Sequence, residues 1–332
     1  MVSAFVCEVL GFSLRLTEAQ LATVNAYRAT QDREPLEHSP GIRTLKYGEH
    51  KEGYWCHEDF MAQLHDVLDV YEALFPFHQV IGETDWSSGH SKGKEGALRA
   101  NNMNATLGGK QAFLHDSRVT EACLGPKPAI LKLPSNEVID CKLKAGEVQT
   151  FVWPSDPGKL RPFDDVDATV ADFAGKAKGL RQVLWERGLY EEKMSLPDMR
   201  KVMATSADFM AETTAFEDEM AARGHIGLLS PKAHPELAGV GIENCWGKAK
   251  LAFRRANDGD TKTFHARILA ALSETVLYLD RVRKFARRTR DYRRVYESKE
   301  PVGGKVDVEK LRKLHKTHRS ALDSDLSFLQ RS

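Results

Sequence analysis

The feature that most constrains this chain is an amphipathic helix pattern that runs directly into a short apolar strand. Across residues 58–75 the apolar side chains recur at helical spacing, and Pro76 stops the pattern. Residues 79–84 then have the length and composition of a strand, and Asp85 follows at its end. Because a helix of this kind must bury one face against a sheet or another helix, the pattern predicts an α/β fold.

The same periodicities predict the other elements. Residues 2–6 and 12–16 are predicted to form a hairpin, and residues 225–230 a buried strand that Pro231 ends. Helices are predicted over residues 170–187, 197–203, 207–223, from 242 onward, 263–298 and 306–329. Residues 101–167 are rich in Gly, Pro and Lys, with strands expected only at 129–133 and 149–153. We therefore expect a core over residues 1–256 with an insertion at about 101–167, and a basic helical C-terminal region over residues 257–332.

Composition excludes several classes of protein. Hydrophobic residues make up 42% and charged residues 29% of the 332, values typical of a folded globular chain and not of a disordered one. The five cysteines are scattered without a CxxC pair, which fits reduced thiols in an intracellular protein. The N-terminus lacks a basic region and carries Glu8 early, so no signal peptide is expected. No apolar stretch approaches the roughly 20 residues needed to span a bilayer, so no membrane is expected as a partner.

The net charge of +1 conceals a basic segment. Between Asp280 and Arg294, eight Arg and Lys residues stand against two Asp residues, and Arg283, Arg287 and Arg288 are the candidates there for contacts with a phosphate backbone. The helix predicted from residue 242 carries a second set of candidates, which are Lys248, Lys250 and Arg254. The alternative for both sets is a solvated helix face.

Two carboxylates lie where an α/β fold commonly has its active site. Asp85 follows a strand, and Glu243 lies near the start of a helix that follows the next predicted buried strand, so both can meet at the C-terminal edge of one sheet. Acids in such places are usually helix caps or solvated groups, so this arrangement alone is weak support for catalysis.

Several segments, in order and spacing, resemble the DDE superfamily endonucleases that are related to the mariner transposases. They include HQVIGETDWSSGHSKGKEG, KGLRQVLWERGL, GHIGLLSPKAHPEL and GIENCWGKAK, and the similarity is collinear from residue 1 to about residue 300. The resemblance implies a ribonuclease H-like mixed sheet flanked by helices, with Asp85 as the second catalytic aspartate and Glu243 as the final glutamate. It also implies Mg²⁺ or Mn²⁺ at these carboxylates, DNA as the partner, and a homodimer as a further option. The implied location is the nucleus, or the cytoplasm if the protein is non-functional.

The chain departs from the family pattern at two points. In the relatives, the first catalytic aspartate lies on the opening strand of the sheet, upstream of a strand that resembles VSAFV, and the sequence here begins at that later strand. The sheet is therefore expected to be incomplete at its N-terminal strands, and the chain alone is expected to be inactive, or nearly so, in metal-dependent DNA cleavage. Glu8 and Glu83 lie near this sheet, but neither is in a matching motif. Relatives often have Asn-Pro before the final Ile-Glu pair, where this chain has Val240 and Gly241.

Several alternatives stay open at this point. The chain can instead be a non-catalytic nucleic-acid-binding or scaffold protein derived from a transposon, or a decayed reading frame without a selected role. His90 can orient a metal-bound water, contact DNA, or make a structural hydrogen bond. The aromatic residues Trp86, Trp246 and Phe253 are interpreted as core residues.

Overall fold

The computed structural model describes residues 1–46, 48, 50–87, 89–232, 234–260 and 262–297, and within these ranges the chain is a mixed α/β structure. The strands are β1 (Val2–Ala4), β2 (Val6–Cys7), β3 (Gly11–Phe12), β4 (Ile42–Thr44), β5 (Ile81–Thr84), β6 (Ser117–Arg118), β7 (Ile130–Lys132), β8 (Val138–Asp140), β9 (Val148–Gln149) and β10 (Ile226–Leu229). The helices are α1 (Glu18–Ala29), α2 (His57–Leu74), α3 (Val170–Phe173), α4 (Gly179–Glu186), α5 (Leu196–Ala204), α6 (Ala207–Met210), α7 (Ala215–Ala222), α8 (Ile242–Arg255), α9 (Phe264–Ala271) and α10 (Leu279–Glu297). No helix in these ranges is both long and apolar enough to cross a membrane.

The chain divides into two compact units. The first comprises Met1–Lys92 together with the chain from Phe216 onward, and the second comprises Gly93–Ala215. The strands of the described residues pair two by two, as β1 with β4, β2 with β3, β5 with β10, β6 with β9, and β7 with β8. The insertion expected at about residues 101–167 lies inside the second unit.

The helix and the two strands that the sequence predicts most clearly form in the first unit, but β10 is not buried as predicted, since Ile226 and Leu228 are 38% and 43% exposed. The helix is α2. Glu58 and Asp59 in its first turn stabilise it, because their negative charges lie at the positive end of the helix dipole. The strands β5 and β10 pair in parallel, with Ile81 opposite Ile226. Their glycines face α7, because a Cβ on Gly82 would lie 2.8 Å from the Met220 side chain. Small residues on both strands therefore let α7 pack closely on this pair.

The N-terminal hairpin is only partly as predicted. The strands β2 and β3 do pair antiparallel, but β1 pairs with β4, a strand that the sequence patterns do not predict. The second arm ends at Phe12 and does not reach residue 16, because Ser13 and Leu14 have positive φ angles of 62° and 47°. Backbone in this left-handed region cannot continue a strand.

Three helices predicted as single elements are each broken, which corrects the prediction. Residues 170–187 form α3 and α4, because Gly175 has a φ of 74° and Ala177 bridges to Val152 in between. Residues 207–223 form α6 and α7, with Thr214 bridged to Gly93 between them. Residues 263–297 form α9 and α10. Residue 298 and the helix predicted over residues 306–329 lie outside the described residues.

The second unit has a hydrophobic core of its own. Leu114 and Phe151, from the segment expected as an insertion, are fully buried beside Leu180 and Leu184 of α4 and Met203 of α5. The predicted helix over residues 197–203 is confirmed as α5, and the predicted strand over residues 129–133 appears as the shorter β7. Of the strand predicted over residues 149–153, only Gln149 lies in a strand, at the end of β9. The segment expected as an insertion is thus packed into the core of this unit.

The helix α10, which carries the basic segment, is part of the core of the first unit. Val282 and Ala286 have almost no exposed surface, and Val282 packs in one cluster with Phe12 and Cys245. The basic residues therefore lie on the remaining faces of a helix whose apolar stripe is buried.

Candidate functional site

The C-terminal ends of the parallel strands β5 and β10 lie next to each other. Thr84 is opposite Leu229, and the Ser230 amide donates to the Thr84 carbonyl oxygen at 2.8 Å. Because the strands run in the same direction, Asp85 and the loop after Ser230 leave the pair at the same C-terminal edge. This is the edge at which the sequence predicts the carboxylates.

Asp85 is an ionised and accessible carboxylate at this edge. Its side chain is 63% exposed, and its Oδ1 atom accepts from His90 Nδ1 at 2.7 Å and from the Ser87 amide at 3.0 Å. The bond from His90 is the largest cause that lowers the pKa of Asp85 to about 2, and the bond from Ser87 contributes in the same direction. Both bonds end on Oδ1, which restricts the rotation of the carboxylate.

Glu243 lies in the first turn of α8 and is exposed. The residues before it adopt left-handed backbone conformations, with φ 53° at Val240 and 69° at Gly241. A Cβ on Gly241 would lie 2.6 Å from the Phe285 backbone of α10, so only glycine fits there. The backbone before Glu243 therefore has a conformation that accompanies a close approach of α10 to the start of α8.

Glu83 connects β5 to the segment that leads into α8. A Cβ on Gly239 would lie 2.8 Å from the Glu83 carboxylate, which accepts from Ser230 Oγ at 2.6 Å and pairs with Arg293. Arg293 also donates to the Leu237 carbonyl oxygen at 2.7 Å. The start of α8 is thus held beside β5, at the end of the strand that Asp85 follows.

The other acid considered near the sheet, Glu8, is also tied to α10. Arg290 pairs with its carboxylate, and Arg283 Nε donates to its carbonyl oxygen at 3.0 Å. Within the described part of the chain, no group of three or more His, Cys, Asp or Glu side chains is arranged to hold a metal ion. Glu8 and Glu83 therefore act as partners for arginines of α10.

The six basic residues singled out from the sequence differ in their surroundings. Exposed side chains are those of Lys250, Arg254 and Arg287, and half-buried side chains are those of Lys248, Arg283 and Arg288. Arg283 donates to the Glu8 carbonyl oxygen, and Arg288 lies over the Tyr292 ring at 5.7 Å. The basic face of α8 is therefore more open to a polyanion than the part of α10 that binds Glu8.

One aromatic residue at the site differs from its interpretation as core. Trp86, directly after Asp85, is 43% exposed, and Lys232 Nζ lies 4.6 Å from its ring centre. Trp246 does pack in a buried cluster, where it meets Phe12 edge to face at 5.5 Å. Trp86 differs because it lies in the loop beyond the end of β5 and not on a buried strand or helix face.

Arg293 is the residue of this region that sequence reasoning missed. It pairs with Glu83 although 210 residues separate them. A basic segment in a sequence does not reveal which of its members turns inward, so no signal could have found this pair.

No family model, curated protein or solved structure matches this chain.

Proposed function

We propose that this chain is a DDE endonuclease-like protein derived from a transposase, which binds DNA and a divalent cation and has a ribonuclease H-like arrangement around β5 and β10. The observation that carries the proposal is the common edge at which Asp85 leaves β5 and α8, with Glu243 in its first turn, is held beside the same strand by Glu83. Metal-dependent nucleases of this class require acids from different elements to meet at one sheet edge, and the shared edge supports such a meeting of Asp85 and Glu243.

The chemical type of the two acids suits a hard divalent cation. Asp85 and Glu243 are exposed carboxylates, Asp85 is ionised at neutral pH, and Mg²⁺ and Mn²⁺ prefer oxygen ligands of this kind. When bound, such a cation would activate water or a 3′-hydroxyl for attack on a phosphodiester. Because two carboxylates hold a metal pair poorly, we expect weak cation binding and plasmid nicking close to background.

Two exposed surfaces near this edge support DNA as the partner. Lys250 and Arg254 lie on α8, the helix that carries Glu243, so a phosphate backbone bound to this helix would pass close to the carboxylate. Trp86 is 43% exposed and has Lys232 over one face of its ring, so we expect an unpaired base to stack on the other face. The proposal therefore includes both charge and aromatic contacts with the nucleic acid.

The test measures cation binding and DNA binding separately. Titration calorimetry with Mn²⁺ should show a weak site that Asp85→Asn and Glu243→Gln each abolish, whereas Asp32→Asn, in an exposed turn with a positive φ that Asn tolerates, should retain it. Absence of Mn²⁺ binding by the folded chain, or equal binding by all three variants, would contradict the cation site.

DNA binding is tested by the salt dependence of the affinity for a duplex. The double variant Lys250→Ala with Arg254→Ala should lower the affinity and reduce the slope of log K against log salt by about 2, since each phosphate contact contributes about 0.9. Asp85→Asn should leave this slope unchanged. A slope that does not differ between the wild type and the double variant would exclude α8 as the DNA-binding surface.

A second candidate function is non-catalytic DNA binding, and one observation favours it. Asp85 is bonded to His90, and Glu83 and Glu8 are paired with arginines, so each of these acids has a partner without a cation. This reading predicts DNA binding that Mn²⁺ does not alter, and it assigns binding to exposed cations such as Arg287. Loss of DNA affinity in Arg287→Ala, together with no measurable Mn²⁺ binding, would favour this second function.

A further inference from the structure

The loop that follows Asp85 is attached to the first turn of α2. His57 Nδ1 donates to the Gly89 carbonyl oxygen at 2.6 Å, and the Lys92 ammonium pairs with Glu58 at 2.5 Å. The second pair is solvent-exposed and contributes little, so the bond from His57 is the main polar attachment. The loop that carries His90 is therefore held at Gly89 by the first turn of α2.

His90 itself is fixed by its own turn and by a buried ring. Its amide and that of Ser91 donate to the Ser87 carbonyl oxygen at 3.1 and 2.9 Å. Its imidazole lies on the ring of Phe60, with 4.3 Å between centres, and Phe60 is only 2% exposed. Since Phe60 belongs to α2, the imidazole rests on a part of the core that cannot yield easily.

The bond between His90 and Asp85 has a defined direction. An ionised carboxylate only accepts hydrogen bonds, so the Nδ1 atom at 2.7 Å from Asp85 Oδ1 must carry the proton. In the neutral ring Nε2 is then the unprotonated nitrogen. The carboxylate consequently receives two donors on Oδ1, from His90 and from the Ser87 amide, and its rotation is restricted.

We infer that His90 is a positioning residue, seated on α2, that holds the carboxylate of Asp85 in one orientation for a cation by donating to its Oδ1 atom. The inference rests on the proposed function in one respect, which is that Asp85 binds a cation. The hydrogen bond and its support by α2 do not depend on that proposal. Partners of metal-binding groups typically change metal affinity by 10- to 100-fold when they are removed.

The first experiment tests the orientation without any metal. A two-bond ¹H–¹⁵N spectrum of protein labelled at histidine, recorded at mildly alkaline pH, should show the His90 ring with its proton on Nδ1, the less common tautomer in solution. The signal is assigned by its loss in His90→Asn. His57→Ala should shift this ring toward the Nε2-protonated form, because the loop loses its attachment to α2. An Nε2 proton in the wild type would overturn the inference.

The second experiment compares two substitutions that differ only in the donor. In His90→Asn the amide nitrogen lies as many bonds from Cα as Nδ1 does, so the bond to Asp85 can be kept. His90→Phe keeps a ring on Phe60 but has no donor. We expect Mn²⁺ affinity to fall about tenfold in His90→Phe and to change less than about twofold in His90→Asn. His38→Phe, at an exposed histidine of the same unit, is the matched control and should leave affinity unchanged.

The outcomes separate this inference from the proposed function. Equal Mn²⁺ affinity in the wild type and His90→Phe overturns the positioning role while the cation site stands. If the wild type binds no Mn²⁺, the proposed cation site fails, and the tautomer of His90 and its response to His57→Ala then decide the inference. Circular dichroism of each variant distinguishes a local effect from unfolding.

Discussion

At the scale of single residues, the second unit contains a charge whose partner cannot be removed without cost. Arg187 has no exposed surface, and its guanidinium donates to both carboxylate oxygens of Asp208 at 2.8 and 2.9 Å and to Gln149 and Ser206. Burial alone would raise the pKa of Asp208, but the bonds from Arg187 and from Ser117 hold it well below its usual range. Because the buried Arg187 cation has this many fixed partners, the ion pair favours one packing of the second unit over others.

Asp208→Asn should therefore destabilise the second unit strongly. The substitution keeps the volume but leaves Arg187 buried without a counter-charge, which costs about 3–5 kcal/mol in comparable cases. Urea unfolding followed by tryptophan fluorescence measures the loss, and Asp167→Asn, at an exposed position of the same unit, serves as the control with a change within about 0.5 kcal/mol. A midpoint that is the same in both variants would show that Arg187 finds another partner.

The same pair predicts how stability depends on pH. The pKa of Asp208 is lowered in the folded chain, so its stabilising contribution is fully present above the ordinary carboxyl pKa of about 4 and is lost as the pH falls toward the folded value. The free energy of unfolding of the wild type should thus decrease more steeply below about pH 4 than that of Asp208→Asn. Parallel curves for the two proteins would contradict this assignment.

At the scale of elements, the junction between the start of α8 and α10 determines where Glu243 lies. Two consecutive residues, Val240 and Gly241, have left-handed backbone, which is unusual for a β-branched residue such as Val240. The short approach of Phe285 to Gly241 explains why the conformation persists, since α10 packs against this turn. The position of the first turn of α8 is therefore set by packing between helices.

Two glycine substitutions on these elements should have opposite signs. Gly241→Ala should destabilise the chain by more than about 1 kcal/mol, because the φ of 69° disfavours alanine and the added Cβ meets Phe285. Gly247→Ala, in the middle of α8 where a Cβ meets nothing within 4 Å, should stabilise it by about 0.5–1 kcal/mol. Thermal unfolding compares the two, and a stable Gly241→Ala would mean that the turn can relax without loss.

At the scale of the whole molecule, the second unit has the properties of an inserted domain. Gly93 and Thr214, near its two ends, form an antiparallel bridge with each other, so the chain leaves this unit next to where it enters. Its core contains Leu98, Phe151 and Leu184, all from within its own range. A domain can fold independently when its two ends are adjacent and it has a hydrophobic core of its own.

Residues 93–215 produced alone should therefore fold cooperatively. We expect dispersed amide signals in a ¹H–¹⁵N spectrum and a single urea transition, which Asp208→Asn shifts by about as much as in the full chain. In the complementary deletion, a short Gly-Ser linker in place of residues 93–215 should leave the other unit folded. Failure of both pieces to fold would show that the two units stabilise each other.

Sequence by itself determined the features that repeat along the chain. Helical spacing over residues 58–75 and the apolar runs before Asp85 and Ser230 are local patterns, so α2, β5 and β10 could be predicted, and with them the strand end that bears Asp85. The basic character of α8 and α10 follows in the same way from composition.

Tertiary structure alone decided which groups meet. The pairing of Glu83 with Arg293, the burial of Arg187 beside Asp208 and the seat of His90 on Phe60 join residues from distant parts of the chain, which no local period encodes. The breaks in the predicted helices have the same origin, because bridges such as the one from Val152 to Ala177 satisfy backbone groups that a helix would otherwise pair. Local propensity gives way wherever such long-range contacts contribute more free energy than one further helical turn.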